Sequence, residues 1–207
     1  MSELKVFPYS KDCHYILAVE LLLDYIHQYV SLNKEAEKAI LVSFKTKEYP
    51  NGKKLLRKGD TCRNLYFMLR GTVRTFFYQS DKDVTTWIYP EGYFFTAWSS
   101  FINNQPGHEF IELVEDSQIA FITKEALDIL YDQHASIERF GRYLAEEQLA
   151  SIDEYSKGYL FLSAREKYDL LLSFFPDVTQ RVNLGHIASL LGITQETLSR
   201  IRGKKTG

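Results

Sequence analysis

The segment Asn183–Arg202, NLGHIASLLGITQETLSRIR, places Ile187, Leu191, Ile193, Leu198 and Ile201 where two short, steeply crossing helices must bury them. Ala188 stands where such helices approach too closely for a large side chain, and Gly192 supplies the positive φ that turns the chain sharply after Leu191. Thr194 is positioned to cap the second helix. That packing leaves Gln195, Glu196, Ser199 and Arg200 on the outer face, near the N-terminal end of the second helix. These side chains suit base edges: Arg bridges guanine O6 and N7, Gln pairs with adenine, and Glu accepts from cytosine N4. A polar helix face is ordinarily just solvated surface. Here the buried pattern, turn glycine, cap and donor-rich face coincide in one window, so the segment reads as a helix-turn-helix for the major groove of double-stranded DNA.

Charge agrees locally although not globally. The chain is formally -2, yet from Arg181 onward the cations Arg181, Arg200, Arg202, Lys204 and Lys205 face only Glu196. The candidate DNA-contacting set is therefore Thr194, Gln195, Glu196, Ser199, Arg200, Arg202, Lys204 and Lys205.

Working outward, 207 residues with 45% hydrophobic and 25% charged side chains describe an ordered protein able to bury one large core or two smaller ones, and two domains are expected. Cys13 and Cys62 are far apart, which fits plain thiols in a reducing compartment and excludes a four-cysteine cluster. The most apolar early stretch, residues 16–23, is broken by Glu20, and no run reaches bilayer length. A cytoplasmic protein without a membrane partner is expected.

Residues 13–30 carry Ile16, Val19, Leu22, Leu23, Ile26 and Val30 at helical spacing, and Asn33 then caps a helix holding Ala36, Ala39, Ile40 and Phe44. From Lys47 to about Ile122 the pattern changes to short β-type runs, reversed at Gly52, Gly59, Gly71, Gly92 and the Ser80–Asp83 cluster. Strands at close intervals without intervening helices indicate an antiparallel jelly roll, with the lysines of residues 45–58 as solvated edge protection. A short helix is expected over 124–134. From Ser136 a long one begins, with Ile137, Phe140, Leu144, Leu149 and Ile152 leading to Tyr155 and Tyr159. About 24 helical residues span roughly 36 Å, more than a small barrel covers, so the stripe predicts a parallel, coiled-coil-like homodimer seam. Ser163 to Glu166 form a capping box, Leu171, Leu172 and Phe175 give that helix an inner face, and Pro176 stops it. Gln180 to Asn183 are expected as a short strand, and His186 is expected to face phosphate or solvent. The fold class is thus α+β: a jelly-roll sensor over 1–135, a dimerisation helix over 136–160 and a helix-turn-helix domain over 161–207.

This order resembles the cyclic AMP receptor protein and Fnr (CRP/FNR) family of bacterial transcription regulators over nearly the whole chain. The matching stretches are Leu56–Asp60, Leu65–Arg74, Gly92–Phe94 and Gln195–Arg200, the last similar to the family's R-E-T-V-x-R recognition helix with Gln195 for the first arginine. The resemblance implies a cyclic-nucleotide-binding-like sensor domain, a homodimer on a two-fold-symmetric DNA site, RNA polymerase as a further partner, and base-contacting roles for Gln195, Glu196 and Arg200. The Gln195 exchange implies a departure from the family's usual operator. Relatives continue past the recognition helix into a β-hairpin, whereas only residues 203–207 follow here, so wing contacts are expected from residues 179–181.

The effector site departs further. Where cyclic-nucleotide-binding members carry a Gly-Glu pair for the ribose and an arginine for the phosphate, this chain has Thr96-Ala97 and Gly107-His108-Glu109. A phosphate withdrawn from water without a charge-assisted partner is costly to bind, so the usual nucleotide mode is not expected. The replacement is aromatic: Tyr93, Phe94, Phe95, Trp98 and Phe101. Either they form a pocket for a flat apolar effector, with Phe94, Phe95, Thr96, Trp98 and His108 as its candidate residues, or they fill the space themselves. The second reading is favoured because such clusters are more often core. Iron-sulfur sensing lacks its cysteines and haem ligands cannot be placed among the scattered His14, His27, His108, His134 and His186, so the cofactor is unassigned.

Two rival functions compete with this reading. A cupin-type enzyme needs clustered histidine and carboxylate ligands, and between Lys47 and Ile122 there is one histidine, His108, so an enzyme is not expected. A ligand-binding or protein-interaction module with a degenerate helix-turn-helix is disfavoured by Arg200 and the basic C-terminus.

Overall fold

The computed structural model describes residues 20–203, which leaves Cys13, His14, Ile16, Val19, Lys204 and Lys205 of the sequence reading outside the described residues. The chain is α+β. Helix α1 is helical over residues 20–27, and α2 spans Lys34–Ser43, its first turn capped by the Asn33 Oδ1, which accepts from the Ala36 N–H at 2.8 Å. Eight strands follow: β1 (Lys45–Tyr49), β2 (Lys54–Leu56), β3 (Asn64–Arg70), β4 (Val73–Gln79), β5 (Lys82–Tyr89), β6 (Phe94–Phe95), β7 (Phe110–Leu113) and β8 (Ser117–Thr123), with the short helix α3 (Trp98–Asn103) between β6 and β7. They pair antiparallel in two four-stranded sheets, ordered β1-β8-β3-β6 and β2-β7-β4-β5. Lys45 and Lys47 are exposed on β1, an edge strand, where charge blunts unwanted pairing.

Side chains alternate across a strand, and β6 shows what that does here. Phe94 packs outward, edge-on or tilted to Tyr25 of α1, Phe44, Phe67 of β3 and Phe140. Phe95 points the other way and stacks between the sheets on Tyr66 of β3 and Tyr89 of β5, ring centres 5.2 and 6.0 Å away. One buried cluster therefore runs from the helices through the first sheet into the sheet interior.

The remaining helices are α4 (Lys124–Gln133), α5 (Ala135–Lys157), α6 (Ala164–Phe174), α7 (Val178–Arg181), α8 (Leu184–Leu191) and α9 (Gln195–Gly203). The first half of α5 buries Ile137, Phe140 and Leu144 against the jelly roll. Beyond Leu144 the helix still meets the body on one side, where the Tyr29 hydroxyl donates to Glu147 at 2.8 Å, whereas Leu149 and Ile152 are 67% and 63% exposed. Ser163 and Glu166 form the expected reciprocal cap of α6. A second cluster joins Tyr168, Leu171, Phe175, Val178, Val182, Ile187, Ala188, Leu191 and Leu198 to Ile88 of β5, so the C-terminal helices cover the outer face of the second sheet.

Two expectations differ from the structure: helix α3 interrupts the stretch read as strands without intervening helices, and the strand over 180–183 is absent. Residues 180–183 do not form a strand: the Val182 N–H donates to the Val178 carbonyl at 2.8 Å, closing the single turn of α7. Local bonding combined with burial of both valines in the second cluster outweighs the β-propensity of the segment.

Phe67 is wholly buried where α1, β3 and β6 meet. Phe67→Ala should destabilise the protein by about 3–5 kcal/mol, measured as a shift of the denaturant midpoint at unchanged slope.

Candidate nucleic-acid interface

Helices α8 and α9 are built by the residues that the sequence pattern singles out. Asn183 caps α8, its Oδ1 accepting from the Gly185 N–H at 2.8 Å. Gly192 ends α8 in the left-handed region at φ +69, and the Ile193 N–H returns to the Ala188 carbonyl at 3.0 Å. The Thr194 Oγ1 then accepts from the Thr197 N–H at 3.3 Å. Ile187, Ala188, Leu191 and Leu198 are buried, with Ile193 and Ile201 packed beside them. What remains outside is a continuous polar face: Thr194, Gln195, Glu196, Ser199, Arg200 and Arg202 are all exposed. The Glu196 carboxyl is held below the usual range by its own backbone N–H, the Thr194 hydroxyl and Arg200.

The mounting of this pair is the part that the sequence reading missed. Arg74, the second residue of β4 and only 4% exposed, donates to both oxygens of Asp83 on β5 at 2.7 and 2.8 Å and to Glu112 of β7 at 2.7 and 2.9 Å. Its guanidinium also lies over the Phe76 ring. The same group reaches the Nδ1 of His186 on α8 at 2.9 Å. Three residues further along α8, the Ser189 Oγ donates to the Asp83 carbonyl and accepts from the Thr85 N–H. His186 thus faces the sheet and not phosphate, because the buried guanidinium on β4 offers it a donor. Burial, then Arg74, lowers the imidazole's proton affinity, which favours the neutral ring with Nδ1 as acceptor.

Arg181 is likewise turned away from any phosphate. Its guanidinium pairs with Glu91 at 2.5 and 2.9 Å and with Glu115 at 2.7 and 3.0 Å, and Asp177 lies 3.6 Å away. Of the segment expected to supply wing contacts, Arg181 is thus paired with the jelly roll, while Gln180 is exposed. Burial opposes ionisation of Glu91, but Arg181 and the Gly71 N–H outweigh it and hold the carboxyl below the usual range. A charged residue in an otherwise apolar strand, Arg74 within VRTFF, was the one signal in the sequence for such a network.

The five candidate pocket residues are not brought together. Phe94 and Phe95 leave opposite faces of β6 and are both buried. The Thr96 Oγ1 donates to the Asn64 carbonyl at 2.8 Å, Trp98 packs on the first cluster, and His108 is exposed. Phe95 fills space between the sheets, whereas Tyr93 is exposed and borders a cavity with Phe94. Beside His108, burial raises the Glu109 carboxyl. One cavity, of about 640 Å³ between α1, residues 92–94 and α5, has Phe94 in its wall, and another of about 350 Å³ lies between β5, α5 and α6. Among the described residues, no group of three or more metal-ligating side chains is gathered.

Residues 46–134 match the cyclic nucleotide-binding domain family. The chain is also similar in structure to the catabolite activator protein of Thermus thermophilus, at 22% identity over 84% of this chain and 83% of that one, with a TM-score of 0.55. FixK2 from Bradyrhizobium japonicum is similar at 15% identity over 78% and 83% of the two chains, TM-score 0.64. A protein of Eubacterium rectale assigned to the crp/fnr family of transcriptional regulators shares 16% identity over 82% of each chain, TM-score 0.61. No curated protein sequence matches the chain. The resemblance to the CRP/FNR regulators drawn from the sequence is borne out, as a likeness of fold.

Two outcomes follow for the mounting. Arg74→Leu strands Asp83 and Glu112 without their counter-charge and should cost on the order of 3 kcal/mol in denaturant unfolding. The lowered affinity of His186 means that its contribution is complete above its ordinary value of 6.5 and declines as pH falls below it, whereas that of Glu91 declines only below about 4.5. The stability difference between wild type and His186→Gln should therefore shrink between pH 6.5 and 5, as read by unfolding titrations at each pH.

Proposed function

We propose that the chain is a sequence-specific, DNA-binding transcription regulator of the CRP/FNR type that acts as a homodimer. The observation that carries this reading is the exposed, capped, donor-rich face of α9 opposite a fully buried Leu198. Residues 1–135 are the sensor domain, 136–160 the dimerisation helix and 161–207 the helix-turn-helix domain. The exposed Leu149 and Ile152 on the outer half of α5 are the apolar surface that a second copy would cover. Two such helices would set the recognition helices about 34 Å apart, one turn of a two-fold-symmetric site. Gln195, Glu196 and Arg200 read base edges, and Thr194, Ser199, Arg202, Lys204 and Lys205 serve phosphates and positioning.

The effector is not a cyclic nucleotide held in the usual way. At the phosphate position the chain presents a half-buried Glu109 carboxyl in place of a guanidinium, which opposes an anion. The protein works in the cytoplasm and would engage RNA polymerase from its DNA site; no helix among the described residues is long and apolar enough to cross a membrane.

The test is selection from randomised duplex DNA by the purified protein, then titration of the enriched site at several salt concentrations. A palindromic motif bound with a steep salt dependence is expected. Arg200→Ala should lose about 1–3 kcal/mol, roughly 5- to 150-fold in affinity, at one base pair of each half-site. Binding as tight as wild type would remove the base-reading role. Ile152→Glu should convert the dimer to a monomer in sedimentation and weaken binding to the full palindrome more than to a half-site.

A further inference from the structure

Gly185 lies in the first turn of α8, where glycine is a poor helix former, costing about 1 kcal/mol relative to alanine in a helix interior. Its backbone does not use the freedom that usually explains a glycine, since it is not among the residues with positive φ. What the missing side chain leaves is room. A Cβ at this position would stand 2.5 Å from the Nε2 of Gln195 and 3.2 Å from the Asn183 Oδ1. The first residue of α9 thus lays its carboxamide across the start of α8, against bare backbone. Among the described residues, no hydrogen bond holds that carboxamide, so its donors and acceptor are free for another molecule.

We propose that Gly185 is a specificity-determining position of the interface: it gives the Gln195 carboxamide its seat and so decides which base edge that group reads. The inference rests on the assignment of α9 as the DNA-reading helix. A carboxamide discriminates adenine by presenting a donor and an acceptor together to N7 and N6, which requires the amide plane to be held. The seat on Gly185 holds it from one side, while the capped α9 terminus fixes its root. The atom that a methyl group would strike is the far end of a flexible side chain, and the capping Asn183 Oδ1 at 3.2 Å need give by only a few tenths of an ångström, so alanine here displaces the carboxamide and leaves the helix pair intact. Gly185 is accordingly a positioning residue that acts through Gln195.

The experiment compares wild type, Gly185→Ala, Gln195→Ala and the double variant by selection from randomised duplex DNA and by titration of single-base variants of the enriched site. Gly185→Ala should unfold at or above the wild-type denaturant midpoint and keep the wild-type salt slope. At one base pair per half-site its preference should change by about 5-fold or more, within the range set by one bidentate contact, and the other positions should be unaltered. In the Gln195→Ala background, adding Gly185→Ala should change nothing at that base pair. If Gly185→Ala selects the wild-type motif, or if its effect persists without the Gln195 carboxamide, the positioning role is wrong while DNA reading stands. A uniform loss across all base pairs would also overturn it. If wild type itself selects no motif, the DNA-reading assignment fails, and this inference with it.

Discussion

The guanidinium of Arg74 is the constraint on which the arrangement of the two halves depends. A cation buried this deeply is tolerated only when counter-charges and hydrogen bonds replace water, and Asp83 and Glu112 supply both from the neighbouring strands. With Lys54 of β2 lying 4.0 Å from Glu112 beside Arg74, the two carboxylates face two cations without recourse to α8. One Arg74 nitrogen still reaches the imidazole on α8, so a network that belongs to the sheet extends one contact outward to the α8–α9 pair. Ser189 and the Arg181 cluster repeat the arrangement on either side, with backbone polar groups in one case and paired carboxylates in the other. Apolar burial around Ile88 supplies the adhesion, and the polar contacts supply the register.

Much of this was legible in the sequence where a local rule and a tertiary demand agree. Gly192, Thr194, Asn33 and the Ser163–Glu166 box each do in the structure what backbone chemistry requires of them. The jelly roll was readable from strand spacing and turn glycines. What failed were statements about direction. His186 and Arg181 carry the charge pattern of a phosphate-facing surface, and nothing in their neighbours along the chain reveals that Arg74, Glu91 and Glu115, remote in sequence, lie opposite them. The strand expected over residues 180–183 failed for a related reason, since Val178 and Val182 satisfy a helical turn as readily as a strand until the second cluster is known.

The candidate effector pocket shows the same limit at a finer scale. Composition marked residues 93–101 as aromatic, and Phe95 is buried between the sheets while Tyr93 and Phe94 border a cavity. Yet period-two alternation already implied that Phe94 and Phe95 could not line one cavity, and grouping them overlooked it. A compositional cluster is a statement about a segment, whereas a pocket is a statement about a face.

That two-residue strand has a mechanical meaning beyond packing. Phe95 is clamped between Tyr66 and Tyr89 in the interior of the sheets, and Phe94, one peptide away, abuts Phe140 of α5. The two rings pin β6 from opposite faces of the first sheet, so one two-residue strand is packed at once against the jelly-roll interior and the first half of the long helix. β6 is in that sense a rivet through the first sheet, with one head in the interior and the other on the helix.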